Sequence, residues 1–352
     1  MPAIQAKSAA KVLVSGANGY IAIWVVRTLL ERGYSVRGTV RSTEKGKHLL
    51  EVFKGYGQKF DVVVVEDITE EGAFDEAVKG VDAIAHTASP FYLNAVDPQE
   101  LIGPAVKGTA GMLASALKNG SSVQRILVTS SCAAVLHVSP EPKVFSEADW
   151  NEQAIKEIEE QGRDAPGIVK YRASKTLAEK AAWDFYKNHK SEIKWDLSVI
   201  NPPFVFGPFI HDALNVDSLN ESARVWYGIV AKEGSGGKSP EFLATQGSAW
   251  IDVRDLAEGH VRALETPAAG EERIIISAGS FVWQDWIDTA NALSLSPIPS
   301  RTLPKGVPGA GKTAKHQIKY DTAKEKMILG LTLRTKEETA KDTLADFERR
   351  GW

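Results

Sequence analysis

Short apolar runs and longer amphipathic stretches take turns along the first part of the chain. Val12-Leu13-Val14 is an unbroken apolar run of the kind a strand buried on both faces requires. Gly16 and Gly19 follow at once, and Ile21, Ile23, Trp24 and Leu29-Leu30 then recur at roughly helical spacing. Ser35–Arg41 reads as a second strand, Phe60–Asp67 (FDVVVVED) as the clearest buried strand, Ala83–Ala88 as a fourth, Arg125–Ser131 as a fifth and Leu197–Ile200 as a sixth. Between them the pattern predicts a helical segment starting near Lys45, helices around Glu71–Lys79 and over about Leu101–Lys118, and an amphipathic helix from Tyr171 to about His189. Glu141–Gly167 is polar and loop-rich. Strands and helices that alternate with short connections define an α/β chain with a doubly wound parallel sheet. In such sheets ligands sit beyond the carboxyl ends of the strands.

Beyond Pro208 the alternation loosens. Trp250–Val253 and Arg273–Ser277 read as further strands, with a helix from about Asp255 to Leu264 between them, and the remainder mixes helices with Pro/Gly-rich loops. The expectation is a smaller mixed α/β lobe formed mostly by residues 206–352, with elements at about 250–280 partly returning to the main sheet.

The segment KVLVSGANGYIA gives the first part its chemistry. Strand, glycine turn and helix point the free N–H groups and positive dipole end of a helix N-terminus at a phosphate. Gly16 permits the tight turn, Gly19 lets the backbone approach a pyrophosphate, and Ala22 keeps helix and strand close. Residues 1–205 therefore read as a Rossmann-type dinucleotide-binding domain. At the end of the second strand stand Arg41 and Lys45, where an NAD-preferring site would carry an acid. Two cations there suit a 2′-phosphate, so NADPH/NADP+ is the expected cofactor, with a solvated basic helix start as the plain reading. Asp67 either accepts a hydrogen bond from the adenine amino group or caps the following helix. Thr87-Ala88-Ser89-Pro90 is small and polar enough for the chain to pass close to a flat cofactor. His86 reads as a core histidine, because no second metal ligand stands near it. Pro202 and Pro203 stop strand pairing and fix a rigid wall.

Composition narrows the class. The 352 residues are 43% hydrophobic and 25% charged, with a net charge of -3, which gives no reason to expect nucleic acid or an anionic membrane as partner. The amino terminus lacks the apolar segment of a secretory signal, and no apolar run is long enough to span a bilayer. The single cysteine, Cys132, excludes an internal disulfide and fits a reducing compartment, so the cytosol is the expected location.

Tyr171 and Lys175, four apart on a helix, share one face. An ammonium beside a phenol favours the phenolate and lowers its ordinary value near 10. Ser131, at a strand's carboxyl end, can hold a carbonyl oxygen while Tyr171 donates a proton, and Lys175 can hydrogen-bond a nicotinamide ribose. This is a set for hydride transfer to an aldehyde or ketone. The pattern Y-x-x-x-K also occurs at Tyr186/Lys190 and Tyr320/Lys324. Tyr186 lies fifteen residues further along the helix, roughly 22 Å down its axis, and Tyr320 follows no strand-end serine. Gly306–Thr313 satisfies the pattern G-x-x-x-x-G-K-[ST], but no apolar strand precedes it and a polar segment follows, so it reads as a flexible loop.

With these residues together the chain resembles the extended short-chain dehydrogenase/reductases, and within them the branch of dihydroflavonol reductases, cinnamoyl-CoA reductases and fungal methylglyoxal/aldehyde/ketone reductases. The matching pieces are GANGYIA, TVRSTEK, Asp67-Ile68, HTASPF, TSS, YRASK-TLAEKAAW, NPPFVFGP and WIDVRDLAEGHVRAL, in the family's order. The resemblance implies that Gly16, Gly19, Tyr20 and Ile21 line the pyrophosphate, Arg41 and Lys45 hold the 2′-phosphate, and Asp67 and Ile68 border the adenine. It places Tyr171, Lys175, Pro202, Val205 and Ser222 around the nicotinamide half, with Thr87 and Ala88 beside the cofactor. Ser131, Tyr171 and Lys175 become the catalytic set, and Phe91 and Phe204 border the substrate. Trp226 is a further substrate candidate by similarity to fungal carbonyl reductases, with a core position as the alternative. The chain has Val135-Leu136-His137 where plant dihydroflavonol reductases carry an asparagine, and it lacks the NWYCY-like signature of cinnamoyl-CoA reductases. Both departures favour a reductase of small or aromatic aldehydes and ketones. A nucleotide-sugar epimerase or dehydratase of the same fold, and a non-catalytic NADPH sensor, are the competing readings. The sequence leaves monomer or dimer open.

Overall fold

The computed structural model describes residues 3–4, 10–89 and 94–352. In chain order its first half runs β1 (Lys11–Ser15), α1 (Tyr20–Glu31), β2 (Ser35–Val40), α2 (Thr43–Val52), β3 (Phe60–Val64), β4 (Ala83–His86), α3 (Gln99–Asn119), β5 (Arg125–Thr129), β6 (Lys143–Phe145), α4 (Glu152–Gln161), α5 (Gly167–Asn188) and β7 (Asp196–Asn201). Then follow β8 (Phe204–Phe206), α6 (Glu221–Trp226), α7 (Pro240–Thr245), β9 (Gly247–Asp252), α8 (Val253–Glu265), β10 (Arg273–Ile275), β11 (Gly279–Val282), α9 (Trp283–Ala292), β12 (Ile318–Tyr320), α10 (Ala323–Ile328) and α11 (Lys336–Arg350).

Seven strands form one sheet in the order β3-β2-β1-β4-β5-β7-β10, and every pairing in it is parallel. Strand order reverses between β1 and β4, which places a crevice at their carboxyl ends. The apolar runs explain the arrangement: β4, β5 and β7 are buried at every position, as strands covered by helices on both faces must be. A buried bidentate pair ties β5 to β7 at the opposite end, Arg125 Nε and Nη2 donating to Asp196 at 2.6 and 2.8 Å.

The second sheet is small and mixed, ordered β11-β9-β8, with β9 antiparallel to β11 and parallel to β8. Of the segment expected to return to the main sheet, Arg273–Ile275 does so beside β7, whereas Gly247–Asp252 joins the small sheet. Its aromatic core, including Phe206, Trp226, Phe281 and Trp286, is continuous with the core under α1.

Other departures have local causes. The helix expected around Glu71–Lys79 is a run of turns bounded by Gly72 and Gly80, both at positive φ (72° and 67°). The strand from Phe60 stops at Val64, before the acidic Glu66-Asp67. The polar stretch 141–167 contains β6 and α4, whose start Asn151 caps by accepting from Ala154 N at 3.0 Å. The helix expected from Tyr171 begins at Gly167, four residues earlier. Among the described residues no helix is long and apolar enough to cross a membrane.

The sequence Gly306–Thr313 forms no phosphate loop. Val307 N donates to Gln284 at 2.9 Å and Gly309 N to Asp288 at 2.8 Å, so acceptor side chains of α9 already occupy the amides that a phosphate would need.

Candidate active site

The glycine turn is built as the sequence implies. Gly16 has φ 63°, and a Cβ there would stand 3.2 Å from Ala88 Cα and Cβ, so strand β4 passes directly against the turn. Ser15 locks that contact: its Oγ accepts from Thr87 N and Ala88 N, both at 3.0 Å. Helix α1 opens with Gly19 as N-cap, no side-chain cap and no acid in its first turn. These residues fit a dinucleotide phosphate, because the free amides and the dipole face a turn that carries no competing side chain. The Tyr20 side chain turns away from this edge. It is buried, and its Oη donates to Gly207 O at 2.9 Å, while Trp24 Nε1 donates to Pro208 O at 3.1 Å. Tyr20 thus offers a phosphate its backbone, and its ring fastens the segment NPPFVFGP to the glycine turn.

Arg41 is exposed just beyond β2, and neither it nor Lys45 makes an ion pair among the described residues. Ser42 caps α2, accepting from Lys45 N at 3.4 Å. Asp67 accepts from Thr69 N and Oγ1, both at 2.8 Å, and these bonds hold its carboxyl below the ordinary carboxylate range. Asp67 is therefore a local cap of its own turn. Ile68 packs toward α3, where a Cβ on Gly108 would meet its Cδ1 at 2.7 Å.

At the other side of the crevice, β5 and β7 stay paired past their ends: Ser130 N donates to Ile200 O and Cys132 N to Pro202 O, both at 2.9 Å. This draws Pro202 along Ser131. Ser131 Oγ accepts from Ala133 N at 3.0 Å, lies 3.5 Å from Pro202 O, and stands close enough to the phenol of Tyr171 to lower it. Tyr171 is half-buried on α5, and Lys175 follows one helical turn later at 9% exposure. The chain thus brings its strand-end serine and the tyrosine together, with the lysine beside them.

The electrostatics differ from the sequence expectation. Burial pushes the Tyr171 phenol up to about 12, partly offset by the contact with Ser131. The lowering expected from Lys175 is not among its causes; Lys175 lines a small cavity with His86, Ser130 and Glu179. Burial also brings Lys175 down to about 8, against the opposing pull of Glu179.

Several residues here escaped the sequence reading. His86 is a core histidine, but only half satisfied. Because Ser15 Oγ already accepts two amides, its proton goes to His86 Nδ1 at 2.9 Å, and the ring proton sits on Nε2. That Nε2 has no hydrogen-bond partner among the described residues, and burial drops the ring to about 3. Tyr320, dismissed as a Y-x-x-x-K match, arrives on β12 paired with β6 and lies within electrostatic reach of Cys132 and Arg172. Only a long-range strand pairing places it there, so no local signal marked it.

Of the other candidates, Val205 is buried on β8, Ser222 is half-buried on α6, and Phe204 stacks on Phe206 at the small sheet. Trp226 is 1% exposed and packs edge-on against Trp286, so it stands in the aromatic core and not on an open wall. Phe91 lies outside the described residues.

A parallel sheet reversing at β1/β4, a glycine turn at a bare helix N-terminus and a serine–tyrosine–lysine cluster across the crevice define a dinucleotide-dependent enzyme of the extended short-chain type. The chain belongs to the NAD-dependent epimerase/dehydratase family, whose model matches residues 12–279. A ketoreductase of Aspergillus niger is 36% identical over 344 residues, covering 93% of this chain and 94% of its own. The NADPH-dependent methylglyoxal reductase of Saccharomyces cerevisiae is 36% identical over 342 residues, covering 94% and 96%. The crystal structure of the yeast methylglyoxal/isovaleraldehyde reductase complexed with NADPH superposes with a TM-score of 0.84 at 34% identity, covering 97% of this chain and 99% of that one.

Proposed function

We propose that this chain is an NADPH-dependent reductase that converts aldehydes or ketones to alcohols. The observation that carries the reading is the juxtaposition of Ser131 and Tyr171 at the sheet edge, with Lys175 one turn further on the same helix. The activities named for the Aspergillus and Saccharomyces relatives support it.

Bound NADPH supplies the hydride. Gly16, Gly19 and the amides of Tyr20 and Ile21 hold the pyrophosphate, while Arg41 and Lys45 clamp the 2′-phosphate. Ser131 orients the substrate carbonyl oxygen, and Tyr171, protonated because burial holds its phenol high, donates its proton to that oxygen. Lys175 supports the ribose. Pro202, Val205 and Ser222 border the nicotinamide half, and Phe204 the substrate. In this reading residues 1–205 with Arg273–Ile275 bind the nucleotide, and most of 206–352 forms the substrate lobe in the cytosol.

Steady-state NADPH oxidation over a panel of aldehydes, diketones and bulky ketones tests the proposal. Stoichiometric alcohol formation is expected. A nucleotide-sugar epimerase would turn over without net NADPH consumption, and a sensor would bind NADPH and reduce nothing.

A further inference from the structure

Beneath Lys175 lies a buried carboxylate that the reaction itself does not use. Glu179 is 1% exposed, one helical turn beyond Lys175 on α5. Its Oε2 accepts from Ser130 Oγ at 2.6 Å and from Asn201 Nδ2 at 2.8 Å, and its Oε1 accepts from Arg273 Nε at 2.5 Å. These donors come from the ends of β5 and β7 and from β10, so three strands of the sheet aim at one carboxylate. Arg273 is itself fixed, stacked over Trp150 at 3.6 Å from the ring centroid and donating to Asp149 O at 3.0 Å. Glu179, Lys175, His86 and Ser130 line a cavity of about 10 Å³, room for a single water molecule.

We infer that Glu179 is a positioning residue that keeps the Lys175 ammonium charged at the sheet edge. The charged and titratable groups around Lys175 settle the direction of the effect. Glu179 is the acid on its own helix, one turn away and lining the same cavity. His86, from β4, presents a neutral Nε2–H and adds no negative charge. Tyr171 stays protonated. Arg273 is paired with Glu179 and holds its carboxylate in place. Burial lowers Lys175 to about 8, and Glu179 is the group that works against that drop. Removing the negative charge lowers the lysine further.

The inference rests on the proposed role of Lys175, but its test does not. In protein labelled with carbon-13 lysine, the Cε resonance missing from Lys175→Arg identifies Lys175, and its shift is followed against pH. The wild-type midpoint is expected near 8. In Glu179→Gln it should fall, and in the charge-conserving Glu179→Asp it should stay closer to the wild-type value. A Glu179→Gln midpoint at or above the wild-type value overturns the inference, and so does a Glu179→Asp midpoint that falls as far as that of Glu179→Gln, since loss of packing alone would lower both. The alkaline limb of kcat is then measured in the same proteins. If the titration shifts as expected but the limb does not follow, Glu179 keeps its role and the catalytic reading of Lys175 fails.

Discussion

The hydroxyl of Ser131 stands against the phenol of Tyr171 and lowers it, although one follows a strand and the other stands on the helix after a long polar insertion. The two meet because β5 and β7 pair beyond their ends and α5 brings its amino-terminal turns to the same edge. Burial outweighs the contact and leaves Tyr171 a protonated donor above pH 7. Replacing Tyr171 by Phe should reduce kcat by about a hundred- to ten-thousand-fold, the usual contribution of a positioned general acid. NADPH affinity, followed by nicotinamide fluorescence, should hold within about threefold, because the ring remains and only its hydroxyl is lost. Turnover near the wild-type rate would remove Tyr171 from the reaction.

Arg41, just beyond β2, and Lys45, on the first turn of α2, make no ion pair among the described residues, so a phosphate can claim both. Charge-assisted hydrogen bonds contribute about 1.5–3 kcal/mol. Arg41→Ala should therefore raise KM for NADPH by about ten- to a hundredfold, and KM for NADH very little. Equal losses with both nucleotides would show that the arginine serves another purpose.

Three histidines make the fold acid-sensitive. Burial lowers His86 to about 3 and His211 and His260 to about 4. In His260 burial outweighs the bond from Nδ1 to Leu256 O at 2.7 Å, which favours the charged ring, and Nε2, 2.8 Å from Thr129 Oγ1, is left to accept from that hydroxyl. Folded values below the ordinary 6.5 mean that the unfolded chain binds protons the folded one refuses. Stability is then complete above pH 6.5 and falls as the pH drops toward 4, by about 2 kcal/mol per histidine at pH 5. Urea midpoints at pH 7.5 and pH 5 measure this directly. Equal midpoints would mean that the rings are charged in the fold.

The segment Gly306–Thr313 offers a control for motif reading. Asp288 and Gln284 already accept from its amides, so ATP should produce no thermal shift. Lys312→Ala should leave carbonyl reduction unchanged. ATP protection that the Lys312 change abolishes would contradict this.

Much of the site could be read from the chain because its signals are local. A glycine at the turn, a cation after the second strand and a tyrosine–lysine pair at helical spacing each follow from neighbours a few residues away. The helix expected around Glu71–Lys79 is a run of turns, and which strands of 250–280 return to the main sheet is not legible, because glycine dihedrals and strand partners depend on what lies across the fold. Trp226 could not be sorted between wall and core, since an isolated aromatic carries no direction.

The amino-acid sequence alone determined the alternation of strand and helix, the glycine turn at Gly16–Gly19 and the sheet edge to which Ser131 and the start of the Tyr171 helix belong, since periodicity and parallel topology fix that edge. Tertiary structure alone decided their ionisation. Lys175 shares its cavity with Glu179 and His86, and the Tyr20 hydroxyl reaches Gly207, because burial and contacts between distant segments set those surroundings. A charge buried among groups from three strands takes its state from all of them, and no stretch of the chain holds them together before it folds.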